Sequence, residues 1–126
     1  MLVDTFVMTI TTSRMELMSR LLDIAALRQE VTAQNVANVN TPGFRTLEVS
    51  FEEALQQRLN SDPHANPSEI EPEVVAGAGG ADREDGNNVD VDLEMARLQK
   101  NAIYFKIYTQ ILANELAQQR SAITGR

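Results

Sequence analysis

One run near the C-terminus of this chain contains neither glycine nor proline, and it constrains the fold more than any other feature. It covers residues 91–124, and apolar residues recur along it at alternating steps of four and three. That spacing is the period of a helix that packs against another helix. Asp90 precedes the run as an N-cap, and acidic residues in the first turn suit the positive end of the helix dipole. The sequence therefore predicts a C-terminal helix within residues 89–126, with about 34 residues spanning on the order of 50 Å.

This helix is apolar on more than one face. A second row of Ile103, Ile107 and Ile111 lies beside the first. A helix with several apolar faces needs cover on several sides, more than one partner helix can supply. Other copies or other subunits are the simplest source of that cover, so we predict self-association. The predicted assembly face of this helix comprises Met95, Leu98, Phe105, Leu112 and Leu116.

A second helical pattern is predicted over residues 13–40. Ser13, followed by Glu16, has capping-box spacing, so residues 1–12 are predicted to be a flexible N-terminus. The helical stripe begins strongly apolar and becomes polar toward its end. Its predicted assembly face comprises Leu17, Leu21, Ile24 and Val31.

Asn35 and Asn38 continue the stripe of this first helix and allow two interpretations. Asparagine in a helix–helix seam lowers stability but can fix register and partner number. Solvent exposure at a fraying helix end is equally compatible with the pattern.

The first helix is predicted to end in a sharp turn. Pro42 lacks an amide donor and its ring clashes with a preceding helical turn, and it also pushes Thr41 toward an extended conformation. Pro-Gly suits the centre of a type II turn, where Gly43 supplies positive φ. The chain thereby turns and presents Phe44.

The middle of the chain divides into two parts. Residues 41–60 are predicted to hold the turn, a short extended piece and a weak helix. Residues 61–88 are rich in proline, glycine and acidic residues and are predicted to be a flexible loop, in which Ile70, Val74 and Val75 could form one short contact. The predicted fold is mainly α, one domain in which the two long terminal helices pair as an antiparallel, coiled-coil-like hairpin.

The acidic loop offers no chemical site. Residues 77–80 lack the GxGxxG spacing and the lysine of a phosphate loop, and an EF-hand alignment places Arg83 where an oxygen ligand is needed. His64 is alone, between prolines. We therefore predict no catalytic, cofactor-binding or metal-binding residues.

Charge and composition argue against further classes of protein. A net charge of −7 argues against nucleic acid and against anionic lipid as partners. The absence of cysteine excludes disulfides and thiol chemistry. Residues 1–12 lack the basic start of a secretory signal, and no stretch approaches the roughly 18 apolar residues of a membrane span.

Two segments resemble the flagellar axial proteins. Residues 35–44, Asn-Val-Ala-Asn-Val-Asn-Thr-Pro-Gly-Phe, are similar to the N-terminal signature of these proteins. Residues 28–31 and 49–51 resemble, more narrowly, the basal-body rod family and within it the proteins of the proximal rod. Residues 85–96 resemble the C-terminal signature of the same family. The motif residues on which the resemblance rests are Asn35, Asn38, Thr41, Pro42, Gly43, Phe44, Asn88 and Asp90.

The resemblance implies a structural subunit. Terminal helices of such proteins pack into a tube around an export channel, and the tube transmits torque. It also implies a periplasmic location in the basal body and export without a cleaved signal peptide. The implied partners are other rod subunits, the inner-membrane ring and the export-gate or adaptor proteins, with no cofactor and no small-molecule substrate. A soluble coiled-coil adaptor or another axial protein is the alternative; a hydrolase or metal-binding domain is disfavoured, because no nucleophile, base and orienting group occur together.

Overall fold

Two long helices and a small central region make up the computed structural model, which describes residues 1–125. In chain order the elements are α1 (Leu2–Ala37), β1 (Leu47–Ser50), α2 (Glu52–Ser61), a single 3-10 turn (Pro67–Glu69), β2 (Glu73–Ala76) and α3 (Val91–Thr124). Gly125 closes α3 in the left-handed conformation, with φ of +66°. Arg126, the last residue of the predicted C-terminal segment, lies outside the described residues.

The first helix begins earlier than its capping-box spacing predicts. It starts at Leu2 rather than at Ser13, so residues 2–12 are helical and do not form a separate segment. No glycine or proline interrupts residues 2–37, and the threonine hydroxyls donate to carbonyls four residues back, as Thr9 Oγ1 does to Thr5 O at 2.9 Å. These local bonds keep the polar groups of the first turns satisfied within the helix. The helix ends at Ala37, three residues before the predicted position 40.

The terminal helices run antiparallel, which confirms the predicted mainly α fold and its hairpin. Arg14 in the first half of α1 forms an ion pair of 2.6 Å with Glu115 in the last third of α3. Midway, Asn101 Nδ2 donates to Ala25 O at 2.7 Å. At the other end of the pair, Asn35 Nδ2 donates to Glu94 Oε2 at 3.0 Å.

The apolar core lies between α1 and the central region, and α3 contributes no residue to it. Its buried members are Ile24, Val31, Val49, Phe51 and Ile70. Ile24 and Val31 are therefore core residues of this chain, with their side chains turned inward, and they are not part of an accessible assembly face. Hydrogen bonds and an ion pair join the helix pair at three levels, while the apolar cluster anchors α1 to β1 and α2.

Residues 61–88 are more ordered than their composition predicts. Ser61 ends α2, and β2 pairs antiparallel with β1 in the register Leu47↔Ala76 to Ser50↔Glu73. Arg20 of α1 donates to Ser68 O at 3.0 and 2.6 Å, and Ile70 is buried in the core. Composition within the segment could not show this, because Ile70 is buried in a cluster with residues of α1, β1 and Phe51.

Candidate functional site

The turn after α1 is the first part of the candidate site. Thr41 O accepts a hydrogen bond from Phe44 N at 3.2 Å, and Gly43 has φ of +73°. A Cβ added to Gly43 would meet nothing within 4 Å, so the position requires glycine for its backbone conformation alone. Asn38 holds the turn from inside: its Nδ2 donates to Gln34 O at 2.8 Å, and its Oδ1 accepts from Thr41 Oγ1 at 3.1 Å.

Asn87 fastens this turn to the segment that precedes α3. Its side-chain amide donates to Asn38 O at 2.9 Å and to Thr41 O at 2.8 Å, and its Oδ1 accepts from Val89 N at 2.8 Å. The residue is fully buried, and both amide protons and the oxygen are bonded. Gly43 N also donates to Asp85 O at 2.7 Å. The two signature segments are thus joined directly, although more than 40 residues separate them in the chain.

Asn88 adds a second set of bonds to the chain before β1. Its Oδ1 accepts from Thr46 N at 2.8 Å, and its backbone oxygen accepts from Thr46 Oγ1 at 3.3 Å and from Gly80 N at 2.8 Å. The chain passes so closely here that a Cβ on Gly79 would lie 2.4 Å from Asn88 O. Glycine at position 79 therefore permits the close approach.

Asn35 connects three elements at once. Its Oδ1 accepts from Leu47 N at 3.0 Å and its Nδ2 donates to Leu47 O at 2.8 Å, so the side chain pairs with the outer edge of β1 as a neighbouring strand would. The same Nδ2 reaches Glu94 of α3. Asn35 is fully buried, which excludes solvent exposure at a fraying helix end. We call Asn35, Asn38, Asn87 and Asn88 the asparagine clasp.

A buried carboxylate completes the clasp on the α3 side. Glu94 has no exposed surface; its Oε1 accepts from Arg97 Nη1 at 2.5 Å while Oε2 accepts from Asn35. Arg97 also donates to Ala78 O at 2.6 Å and lies 3.6 Å from Glu48. A buried charge is tolerated when it is paired and hydrogen-bonded, as this one is.

The most deeply buried residues of α3 are all polar. Glu94, Asn101 and Glu115 are buried and are separated by multiples of seven residues. We call these three residues the polar seam. Its bonds to α1 leave much of the apolar row of α3 facing outward, with Phe105 45% and Leu116 49% exposed.

The structure brings together some of the predicted motif residues and not others. Asn35, Asn38, Thr41, Gly43 and Asn88 meet in or beside the clasp. Pro42 is exposed at the turn and Phe44 is half-buried. Asp90 is the N-cap of α3 and accepts from Asp92 N and Leu93 N.

The sequence pattern missed Asn87, Glu94 and the polar seam. Asn87 could have been found from the Asn-Asn pair that directly precedes the helix cap, because asparagine side chains readily bond backbone groups in such turns. An acidic residue in the first turn of a helix is favoured by the helix dipole whether it is exposed or buried, so nothing in the sequence marks Glu94 as buried.

The described residues show neither a metal cluster nor a spanning helix. Over positions 1–125, histidine, aspartate and glutamate never gather in threes around a point that could hold an ion. Over the same positions, every helix is too short or too polar to cross a membrane.

Comparison with known proteins indicates the class of protein to which the chain is similar. The family described as "Flagella basal body rod protein" matches residues 18–45, which include the turn and the α1 half of the clasp. The chain is an antiparallel helix pair with large apolar side chains exposed on both helices.

The relatives identify the family more narrowly. The chain is 31% identical over 125 residues to the flagellar basal body rod protein FlgB of Borrelia hermsii, covering 85% of this chain and 93% of that protein. It is 29% identical to FlgB of Bacillus subtilis, over 82% of this chain and 88% of the relative, and 23% identical to FlgB of Salmonella typhimurium, over 82% and 88%. The chain belongs to the FlgB family and is a structural subunit of the proximal flagellar rod.

Proposed function

We propose that this chain polymerises through the outward faces of α1 and α3, side by side with other rod subunits, to form a tubular wall. The observation that carries this proposal is the set of large apolar side chains left exposed on both helices. On α1 they are Leu2, Val3, Phe6, Val7, Met8 and Ile10; on α3 they include Met95, Ile103, Phe105, Ile107, Leu116 and Ile123. Covering such surface stabilises an assembly by about 25 cal/mol for each Å² removed from water.

The asparagine clasp gives the subunit a fixed shape for this role. It bonds the turn after α1, the edge of β1 and the segment before α3 at several points. A drive shaft that transmits torque needs subunits whose parts do not shift against one another under load. We propose that the clasp supplies this rigidity and that the role is mechanical, without a chemical reaction.

The surroundings of the subunit follow from the family and remain part of the proposal. We propose that the wall encloses an export channel in the periplasm, at the rod base. There it contacts the inner-membrane ring and the export-gate or adaptor proteins. Export would proceed without a cleaved signal peptide.

Charge placed on the outward face of α3 tests the proposal. Phe105→Asp is expected to abolish rod assembly in a strain lacking the native gene, because it would bury a carboxylate between subunits. Gln118→Asp, on an exposed polar position of the same helix, is the matched control and should restore swimming. Basal bodies are isolated and the secreted fraction is measured in parallel.

The outcomes separate the proposal from its alternative. Normal rods with Phe105→Asp would contradict assembly through this face. A purified protein that forms one stable small oligomer, with no role in rod formation, would favour the soluble coiled-coil adaptor.

A further inference from the structure

An open cleft of about 500 Å³ lies between the middle of α1, β1 and the middle of α3. Val31, Val49 and Tyr104 are among its apolar and aromatic lining residues. Tyr104 and Tyr108 stack on its α3 side, with ring centroids 6.0 Å apart and planes at 11°. The cleft therefore offers an aromatic wall opposite the edge of the small sheet.

An unsatisfied polar atom lies beside this cleft. Asn101 lines it and is only 6% exposed, and its Nδ2 is bonded to Ala25 O. Its Oδ1 has no hydrogen-bond partner among residues 1–125. A buried acceptor without a partner lowers stability, so an occupant that supplies a donor would be favoured here.

One cationic side chain of the cleft, Lys100, has no ion-pair partner among the described residues. Arg28 Nη2 donates to both carboxylate oxygens of Glu52 at 2.6 Å. Partial burial raises the pKa of Glu52, but the hydrogen bond and charge of Arg28 together with the backbone hydrogen bonds of Glu52 and Phe51 outweigh it, so the pKa is lowered. Arg97 is paired with Glu94, whereas Lys100 lies 5.8 Å above the Tyr104 ring and, within the described chain, forms no ion pair.

The first three turns of α1 have the complementary properties. Residues 2–10 are all exposed, and Val3, Phe6, Val7 and Ile10 form an apolar stripe at helical spacing, with Phe6 67% exposed. Asp4 beside the stripe is the only carboxylate of this segment. Thr5 and Thr9 on the same turns carry hydroxyl donors, which in this chain bond Met1 O and Thr5 O and would exchange those bonds for one to an outside acceptor.

We propose that the cleft receives the apolar stripe of residues 2–10 from a second copy of this chain, with Asp4 of one copy opposite Lys100 of the other. This inference rests on the proposed function and names the contact that the assembly uses. Stripe and cleft are different surfaces of one molecule, separated along α1 by about 20 residues, or roughly 30 Å at 1.5 Å per residue. Because stripe and cleft are different surfaces, the contact can repeat head-to-tail, and it builds an open helical polymer where the rotation between copies does not close.

Cysteine pairing provides the first test, and the chain has no native cysteine to interfere. Cells co-express the Phe6→Cys and Tyr104→Cys chains, basal bodies are isolated, and the rods are oxidised. A disulfide needs Cα atoms within about 7 Å, so this mixture should give at least about tenfold more cross-linked dimer than a mixture of Ile123→Cys and Tyr104→Cys. Equal yields would overturn the proposal, and so would a cross-link from Tyr104→Cys to a different axial subunit.

Charge exchange provides the second test and does not depend on cysteine. Asp4→Lys and Lys100→Glu should each reduce the number of rods per cell, and the chain carrying both changes should recover it. If neither single change reduces the count, or if the double variant fails to recover, the contact does not exist. Rods that assemble normally without the cross-link would overturn this inference alone, whereas failure of the unaltered chain to form rods at all would overturn the proposed function.

Discussion

Replacing Asn87 should destabilise the central region more than any other single asparagine change outside a helix. Its side chain makes three hydrogen bonds at 2.8–2.9 Å, all to backbone groups, and it is fully buried. Asn87→Ala would leave two carbonyl oxygens and one amide without these partners. At about 1 kcal/mol net for each bond, with more where a buried group stays unsatisfied, the free energy of unfolding should fall by about 3–4 kcal/mol. That is a large part of the roughly 5–15 kcal/mol that stabilises an ordinary domain.

Urea unfolding followed by circular dichroism measures the effect. With a slope of about 1.5 kcal/mol per molar urea, the midpoint should fall by about 2 M or more. Asn87→Asp should be at least as harmful, because it keeps the acceptor but turns a carboxylate oxygen toward two carbonyl oxygens. Asn40→Ala, at an exposed position of the same turn region, is the control and should change the free energy by no more than about 0.5 kcal/mol. If Asn87→Ala behaves like this control, the asparagine clasp does not hold the two signature segments together.

Two further perturbations and one measurement on the unaltered chain test separate parts of the structure. Gly43→Val should lower the free energy of unfolding by about 1–3 kcal/mol through strain at positive φ and block incorporation into rods while the protein is still secreted, whereas Pro42→Ala should have only a small effect. Secreted fractions and isolated basal bodies of the two strains are compared, and equal rod counts for both variants would refute the role of the turn. Deleting residues 73–76 removes the strand partner of β1 and should abolish rods, so swimming of that deletion strain would contradict a structural role for β2. In the dilute monomer, hydrogen exchange should be fast at residues 2–12 and 116–124 and slow near the core, because helix ends without a covering partner are marginal; uniform protection along both helices would oppose the view that neighbours complete the fold.

The elements set by local chemistry could be predicted from the sequence. The long run without glycine or proline and the cap at Asp90 predict α3, which spans Val91–Thr124. Pro42 and Gly43 predict the sharp turn, since proline ends a helix and glycine permits the positive φ observed at position 43. The strand at Leu47–Ser50 and the helix after it follow from the alternation and spacing of their apolar residues.

The parts that depend on long-range packing could not be predicted. Hydrophobic periodicity marks the apolar row of α3, but it does not mark the polar seam. There Asn35 donates to Glu94, Asn101 donates to the Ala25 carbonyl oxygen, and Arg14 forms an ion pair with Glu115. Ser13 has the spacing of a helix start, yet the helix continues through it, since nothing in the preceding turns breaks it. The burial of Ile70 likewise depends on residues far away in the chain.

Cryo-electron microscopy of intact basal bodies from a strain that carries this chain would test the central claim most directly. We predict that the rod base contains it as an antiparallel α1–α3 pair with the asparagine clasp intact, and that neighbouring subunits cover the outward side chains of Phe105 and Leu116. A rod base in which these side chains face solvent, or in which α1 and α3 of one chain have separated, would contradict it.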